Sequence, residues 1–437
     1  MKSKILNIDQ YTLKAWMKKI SLVFTVIIMT ACGDLLDVFS HSSIPPEAVS
    51  AKDLVALRNG MYNAVQNKPT ARGYIMFDMV GGNLTNNATT NPNNLIESVL
   101  SPLSSAVVGN WNGLFAALYE VNSFIKVAGS FPSTAQNVVY LGEAYYFRAL
   151  IYYSLVTRWG DVPIIRENTN ALVARDPMSE VWEFIEEDLD KAIPRLSTPS
   201  VYYYVSQDAA TALKARVMLA QNKMEQAATL SESLITKSKY KLDSFDKIFR
   251  KKSNTEILFA FENVANESSI NISDLFYSYA HPVKGQYAFR PAPDVMTMYD
   301  AGDNREAISI DVVAGNNCIN KYPSGQAGKD PFIVSRIAEM YLISAEAQGR
   351  NEGIGRLNEL RAARGLAAIA PGSDEEYIDA ILLERRKELL GEGFAYYDYV
   401  RTGKAQSEIG LLDFQVLLPI PGKELLVNKN LVPNPGY

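Results

Sequence analysis

Two histidines and two cysteines are all that the chain offers for soft-metal or nucleophilic chemistry. His41 and His281 each lack a partner at a diagnostic spacing, and a lone histidine is usually structural or solvated. Zinc and iron–sulfur centres need more ligands than these. No Gly-rich phosphate loop follows a strand-like run, and no serine or cysteine nucleophile signature occurs. Carboxylates are plentiful, but the pairs Glu186 with Glu187 and Asp374 with Glu375 read as helix surface and define no glycosidase acid pair. Glu384, Arg385, Arg386 and Glu388 sit at helical spacing, which predicts a semi-buried ion-pair network. The expectation is a binding protein without a catalytic residue, cofactor or metal. The material for binding is flat and aromatic, with 24 Tyr, 17 Phe and 4 Trp.

The elements that position such residues belong to a large folded chain. Its 437 residues are 47% hydrophobic and 21% charged, which excludes a disordered tail and supports an extensive core. Basic residues number 43 against 48 acidic ones, so no global basic field exists to attract nucleic acid. The run Ile20 to Ala31 follows Lys18 and Lys19 and is too short to span a bilayer, which needs about 20 apolar residues. It reads as the apolar core of a signal peptide over 1–31. Read from Met17, the same stretch is a compact signal sequence. Met29-Thr30-Ala31-Cys32 resembles the bacterial lipobox, in which the cysteine is lipidated after cleavage before it. Cleavage there removes five lysines and Asp9, leaving 406 residues and taking the charge from −5 to −9. Cys318 then has no partner for an intramolecular disulfide and is expected to be a buried apolar side chain.

Residues 32–46 read as the lipidated cysteine and a tether, and 47–437 as a single domain. Leu54, Leu57, Met61, Tyr62 and Val65 recur at helical spacing after Ser50, which can cap with Asp53. Tyr74 to Pro102, rich in Asn, Thr and Gly, reads as a long loop. Helices then come in pairs: Trp111 to Val127 with the stripe Leu141, Tyr145, Ala149, Tyr152 and Val156; Ala212 to Ala220 with Ala227 to Ile235; Ile337 to Ala345 with Ile354 to Leu360. A last helix is capped by Ser373. Small residues at these seams let helices approach closely. The pattern predicts a mostly α fold of tetratricopeptide-like helix pairs forming a right-handed scaffold, with an irregular region over about 240–331 packed on it. The Pro-rich terminal segment is expected to strap across the helices.

Several stretches together resemble the SusD/RagB family of outer-membrane nutrient-binding lipoproteins of Bacteroidetes-type bacteria. They are GEAYYFRALIYYSLVTRWGDVPII (142–165), DPMSEVWEFIEEDLDKAIPRL (176–196), AATALKARVMLAQ (209–221), SRIAEMYLISAEA (335–347), LNELRAARGL (357–366), ILLERRKELLGEGFAYYDYVR (381–401) and LLPIPGKELLVNKNLVPNPGY (417–437). The resemblance implies a SusD-like fold and a lid role. The lipoprotein would be held on the outer membrane by lipid at Cys32, facing outward, and would capture an oligosaccharide for a SusC-like TonB-dependent transporter. A peptide ligand, as in the RagB branch, and a protein-only tetratricopeptide-like scaffold are the alternatives.

In the family the contact residues vary with the ligand, so no motif carries them over. Two loops match the family's binding regions by position, Tyr74 to Asn94 and Tyr277 to Arg290. From them the expected polar contacts are Asn83, Asn86 and Asn91, and the expected stacking platforms are Tyr277, Tyr279 and Tyr287. Trp111, Phe394, Tyr396, Tyr397 and Tyr399 are expected to pack.

Overall fold

Small residues on consecutive helices let each pack closely on the next. The computed structural model describes residues 49–437 except 200, 251–252, 265–266 and 269. The expected signal peptide, Cys32, the expected tether and His41 lie outside the described residues. In the segment up to Asp53, the amide and hydroxyl of Ser50 both donate to the Asp53 carboxylate, at 2.8 and 2.7 Å.

From Leu54 onward, α1 (Leu54–Asn67) packs on α2 (Ser105–Gly129), and α2 on α3 (Ala135–Trp159). The series continues through α4 (Met178–Ala192), α5 (Gln207–Ala220), α6 (Met224–Ile235), α7 (Ile337–Ala363) and α8 (Asp374–Glu388), each against its predecessor. Contacts between sequential neighbours are the mark of a stacked helical repeat. The caps follow local chemistry: Thr134, Ser206 and Ser373 each accept a backbone N–H from three residues on. Helix α3 shows why the core sits where it does. Besides the stripe of Ala149, Tyr152 and Val156, its Ala144, Phe147, Ile151 and Leu155 are buried, so the helix is covered on nearly every side.

Helix α7 is itself a hairpin, broken at Gly349 with φ 71° and ψ 176°, a region open essentially to glycine alone. Its halves then meet backbone to backbone, because a Cβ on Gly353 would lie 1.9 Å from the Ala345 carbonyl oxygen.

The region 240–331 is largely irregular and carries short strands. β2 (Ile257–Phe261), buried throughout, pairs antiparallel with β6 (Phe332–Arg336). β4 (Ile310–Val313) and β5 (Asn316–Ile319) form a hairpin whose turn residues, Ala314 and Gly315, both have positive φ, as a two-residue turn of the primed type requires. β1 (Leu84–Asn86) pairs with β3 (Phe289–Pro291).

A buried ionic network ties this region to the last helices. Glu388 accepts from Arg305 at 3.0 Å, Arg336 at 2.5 Å and Arg364 at 2.8 Å. Arg364 also reaches Glu256 at 2.7 Å, while Arg336 and Lys321 share Glu392 at 2.9 and 2.7 Å. The ion-pair network expected at Glu384, Arg385, Arg386 and Glu388 is present, and its partners lie on other elements. Glu384 and Glu388 reach arginines of other elements, Arg385 reaches Asp398 at 2.7 Å, and Arg386 reaches Asp294 at 2.7 Å. Carboxylates with no access to water need several donors each, and one helix turn cannot supply them.

The terminal segment straps the frame as expected. Trp159 Nε1 donates to the Pro419 carbonyl at 3.0 Å, and Asn434 Nδ2 donates to the carbonyls of Leu418 and Trp159 at 2.8 and 3.1 Å. Trp111 stacks edge-on against Trp159 with ring centres 5.0 Å apart, and Tyr396 and Tyr399 are buried.

Candidate functional site

The segment Tyr74 to Pro102 is more ordered than a long loop. Short helices cover Ala71–Tyr74, Met76–Val80 and Pro92–Val99, with β1 between the last two. Asn91 starts the third of these: its Oδ1 accepts from Asn93 N at 3.1 Å, and Pro92 fills the first helical position, where a missing N–H costs nothing. The Asn-Pro pair ahead of Leu95, Ile96 and Val99 carries that signal, but the run of Asn and Thr around it obscured it.

The two segments expected to bind ligand are joined by the β1–β3 ladder. Leu84 pairs with Pro291, Thr85 with Arg290 and Asn86 with Phe289, and Asn87 N donates to the Ala288 carbonyl at 3.2 Å. The base of this unit is rigid. Asp78, fully buried, accepts from Asn83 Nδ2 at 2.8 Å and from the amides of Gly391 and Gly393 at 2.9 and 2.8 Å. Burial raises the Asp78 carboxyl above its ordinary value, against the pull of those donors. Asn83 Oδ1 in turn accepts from Arg386 Nε at 2.7 Å, and Asn83 is 1% exposed. Both polar ends of Asn83 are thus spent inside the fold, where it anchors the ladder to α8.

Asn86 is partly exposed and donates to Asn94 Oδ1 at 3.4 Å, and Asn91, Asn93 and Asn94 are exposed. They form a run of side-chain amides able to give and accept hydrogen bonds at once. The tyrosines divide. Tyr277 is buried, donates to Asn320 Oδ1 at 2.8 Å and stacks on His281 at 4.2 Å. Tyr287, at φ 50°, is buried and donates to the Asn317 carbonyl at 2.9 Å. Tyr279 is 72% exposed, with Lys284 Nζ 4.8 Å from its ring centre. Of the six residues expected to contact ligand, Asn86, Asn91 and Tyr279 are thus solvent-accessible, while Asn83, Tyr277 and Tyr287 are buried.

Sequence reasoning did not single out Asn94, Lys284 or Arg290. Arg290 lies opposite Thr85 in the ladder, and its Nε is buried without a hydrogen-bond partner. An arginine in a loop carries no spacing signal, so only the strand register reveals it. Cys318 is buried as expected, and burial pushes its thiol up to about 12, which keeps it protonated and unreactive. Among the described residues no helix is long and apolar enough to cross a membrane.

A frame of stacked helix pairs with a loop-rich region packed on it defines the class: a helical-repeat protein. The chain belongs to the SusD family. A SusD-like family profile described as starch-binding and associating with the outer membrane matches residues 34–219, and the SusD family profile matches residues 314–437. SusD-like protein P38 of Formosa agariphila is 25% identical, over 96% of this chain and 99% of that one. SusD-like protein P2 of the same organism is 25% identical, over 96% and 100%. Among solved structures, a laminarin-binding SusD-like protein superposes with a TM-score of 0.75 at 23% identity, covering 88% of this chain and 99% of its own. NanU of B. fragilis gives 0.78 at 20% identity, covering 91% and 99%. Surface glycan-binding protein A from Bacteroides fluxus gives 0.76 at 20% identity, covering 89% and 100%.

Proposed function

We propose that this protein is a cell-surface lipoprotein, acylated at Cys32, that captures an oligosaccharide and presents it to a SusC-like TonB-dependent transporter in the outer membrane. The observation that carries the reading is the β1–β3 ladder. It joins the two loops expected to bind and holds them on a buried base of Asp78, Asn83 and Arg386. A sugar presents apolar C–H faces and a rim of hydroxyls. An exposed ring such as Tyr279 suits the first and side-chain amides such as Asn86, Asn91 and Asn94 suit the second. Amides and a phenol ring offer hydrogen bonds and a stacking surface, so the face suits capture.

The lipobox residues, the family profile's association with the outer membrane and the glycan ligands named for the structural neighbours support the location and the ligand class. More than one acyl chain makes a stable anchor, at about 0.8 kcal/mol per buried methylene.

The test is an oligosaccharide array probed with the chain lacking residues 1–32, run beside a peptide library. Saturable glycan binding is expected. A response to peptides alone would replace the ligand class, and silence on both would leave a protein-only scaffold. Delivery is tested separately by affinity capture from mildly solubilised outer membrane, in which a TonB-dependent barrel should co-purify.

A further inference from the structure

Away from the loop face, a cleft with a cavity of about 90 Å³ lies between α3, the short helix Ala71–Tyr74 and β6. Its walls are mainly apolar, with Val65, Leu114, Ile151, Leu219, Phe332 and Val334 among them. Four guanidinium groups border it: Arg158, Arg216, Arg385 and Arg401. Three are matched by carboxylates. Arg216 is bidentate to Glu339 at 2.6 and 2.7 Å, Arg385 meets Asp398 at 2.7 Å, and Arg401 meets Asp398 at 2.9 Å and also Glu346. Glu392, the other acid on the wall, is taken by Arg336 and Lys321.

Arg158 has no such match. It is 7% exposed, and its guanidinium lies 4.3 Å from the centre of the Phe77 ring. Nη1 donates to the Ser154 carbonyl at 2.9 Å and Nη2 to the Gly73 carbonyl at 3.2 Å, while Nε has no hydrogen-bond partner. Burial pulls its pKa down to about 10, with only tyrosines opposing the fall. A second unmet atom is nearby. Asn110 Nδ2 donates to the Pro69 carbonyl at 3.0 Å, but its buried Oδ1 accepts nothing. Both residues close on Gly73, since Arg158 bonds the Gly73 carbonyl and a Cβ there would lie 2.1 Å from Asn110 Nδ2.

We propose that this cleft is a binding site for a small organic monocarboxylate, its head on Arg158 and its apolar body along Leu114, Ile151 and Val334. Carbonyl oxygens satisfy some of the donors of a buried guanidinium but leave its charge uncancelled. A carboxylate beside the guanidinium supplies the missing charge, in a pairing that arginine suits. One uncompensated cation matches a monoanion, and the walls call for an apolar tail rather than sulfate or a phosphate dianion. The site is separate from the glycan face and does not depend on that reading.

The test uses hexanoate and its neutral analogue hexan-1-ol, titrated into the chain lacking residues 1–32 by calorimetry and by thermal denaturation. Hexanoate is expected to bind saturably, one per chain, and to raise Tm, while hexan-1-ol does neither. Arg158→Gln should weaken hexanoate binding by about tenfold or more. If that variant fails to fold, Leu150→Trp narrows the same cleft and keeps the guanidinium, and it should also weaken binding. The absence of hexanoate binding would overturn the proposal and leave a water-filled cleft. Equal effects of hexanoate and hexan-1-ol would reduce the site to an apolar void. Unchanged hexanoate binding in the folded variants would overturn it as well.

Discussion

Arg336 and Glu388 meet at 2.5 Å in the interior, with side chains 1% and 0% exposed. Arg336 belongs to β6 and Glu388 closes α8, so this contact fastens the strand-bearing region to the helical frame. Two further guanidinium groups, of Arg305 and Arg364, converge on the same carboxylate. They hold the Glu388 carboxyl well below its ordinary range, although burial acts the other way.

Replacing Glu388 with Gln leaves those arginines one anion short. Removal of one partner from a buried pair costs about 3–5 kcal/mol, so urea denaturation of Glu388→Gln should show a loss of that order. The pH dependence has a definite sign. A carboxyl depressed in the folded state contributes stability above its unfolded pKa of 4.5, and that contribution fades as pH falls through the folded value. The gap between wild type and variant should therefore be widest near neutrality and shrink on acidification below 4.5. A gap that widened in acid would contradict the assignment.

This network also marks where reading the sequence stopped. Helix pairs, the Ser50–Asp53 pairing, the cap at Ser373, the buried Cys318 and the terminal strap were legible because periodicity, capping chemistry and proline act locally. The charges of α8 were visible, but their partners Arg305, Arg336 and Arg364 come from elements far apart in the chain, and no local pattern encodes such meetings. The binding face divides in the same way. Composition marked Tyr74 to Pro102 as a loop and the family resemblance pointed to Tyr277 to Arg290, yet Asn83 and Asn86 look alike in sequence and differ because one faces Arg386 in the interior. Asn91 was read as a polar contact, and the structure makes it the cap of the helix Pro92–Val99.

Two glycines in α7 give a paired measurement. Gly353→Ala places a methyl 1.9 Å from the Ala345 carbonyl oxygen, against backbone that cannot step aside. Overpacking of this kind costs about 1–3 kcal/mol or more, and a fall in Tm is expected. Gly355 lies two residues on in the same helix, with nothing within 4 Å of its added Cβ. Gly355→Ala should stabilise by about 0.4–1 kcal/mol, through the smaller entropy of the unfolded chain. Thermal denaturation of both variants checks the hairpin, because a loosely packed α7 would let both tolerate the methyl.

Tyr279 and Asn83 should separate binding from support. Tyr279→Ala removes a ring that is 72% exposed and lies beside Lys284, so the fold should keep its Tm while glycan affinity falls about tenfold, near 1.4 kcal/mol. Asn83→Ala strips partners from buried Asp78 and from Arg386, at about 1–3 kcal/mol of stability. Glycan affinity and Tm measured on each variant should therefore move in opposite patterns. Equal loss of affinity without loss of Tm for Asn83→Ala would place that amide in the ligand's path instead.

Asn91 requires a variant that keeps one role and removes the other. Its Oδ1 caps the helix Pro92–Val99, and loss of such a cap costs about 1 kcal/mol. Asn91→Ala should therefore lower stability by that amount and, through the loosened helix start, disturb Asn94 and its bond to Asn86. Asn91→Ser retains a capping oxygen but withdraws the exposed amide. If Asn91 touches the glycan, Asn91→Ser should bind it less tightly at unchanged Tm. If its part is only to cap, Asn91→Ser should match wild type in both measurements while Asn91→Ala falls in both.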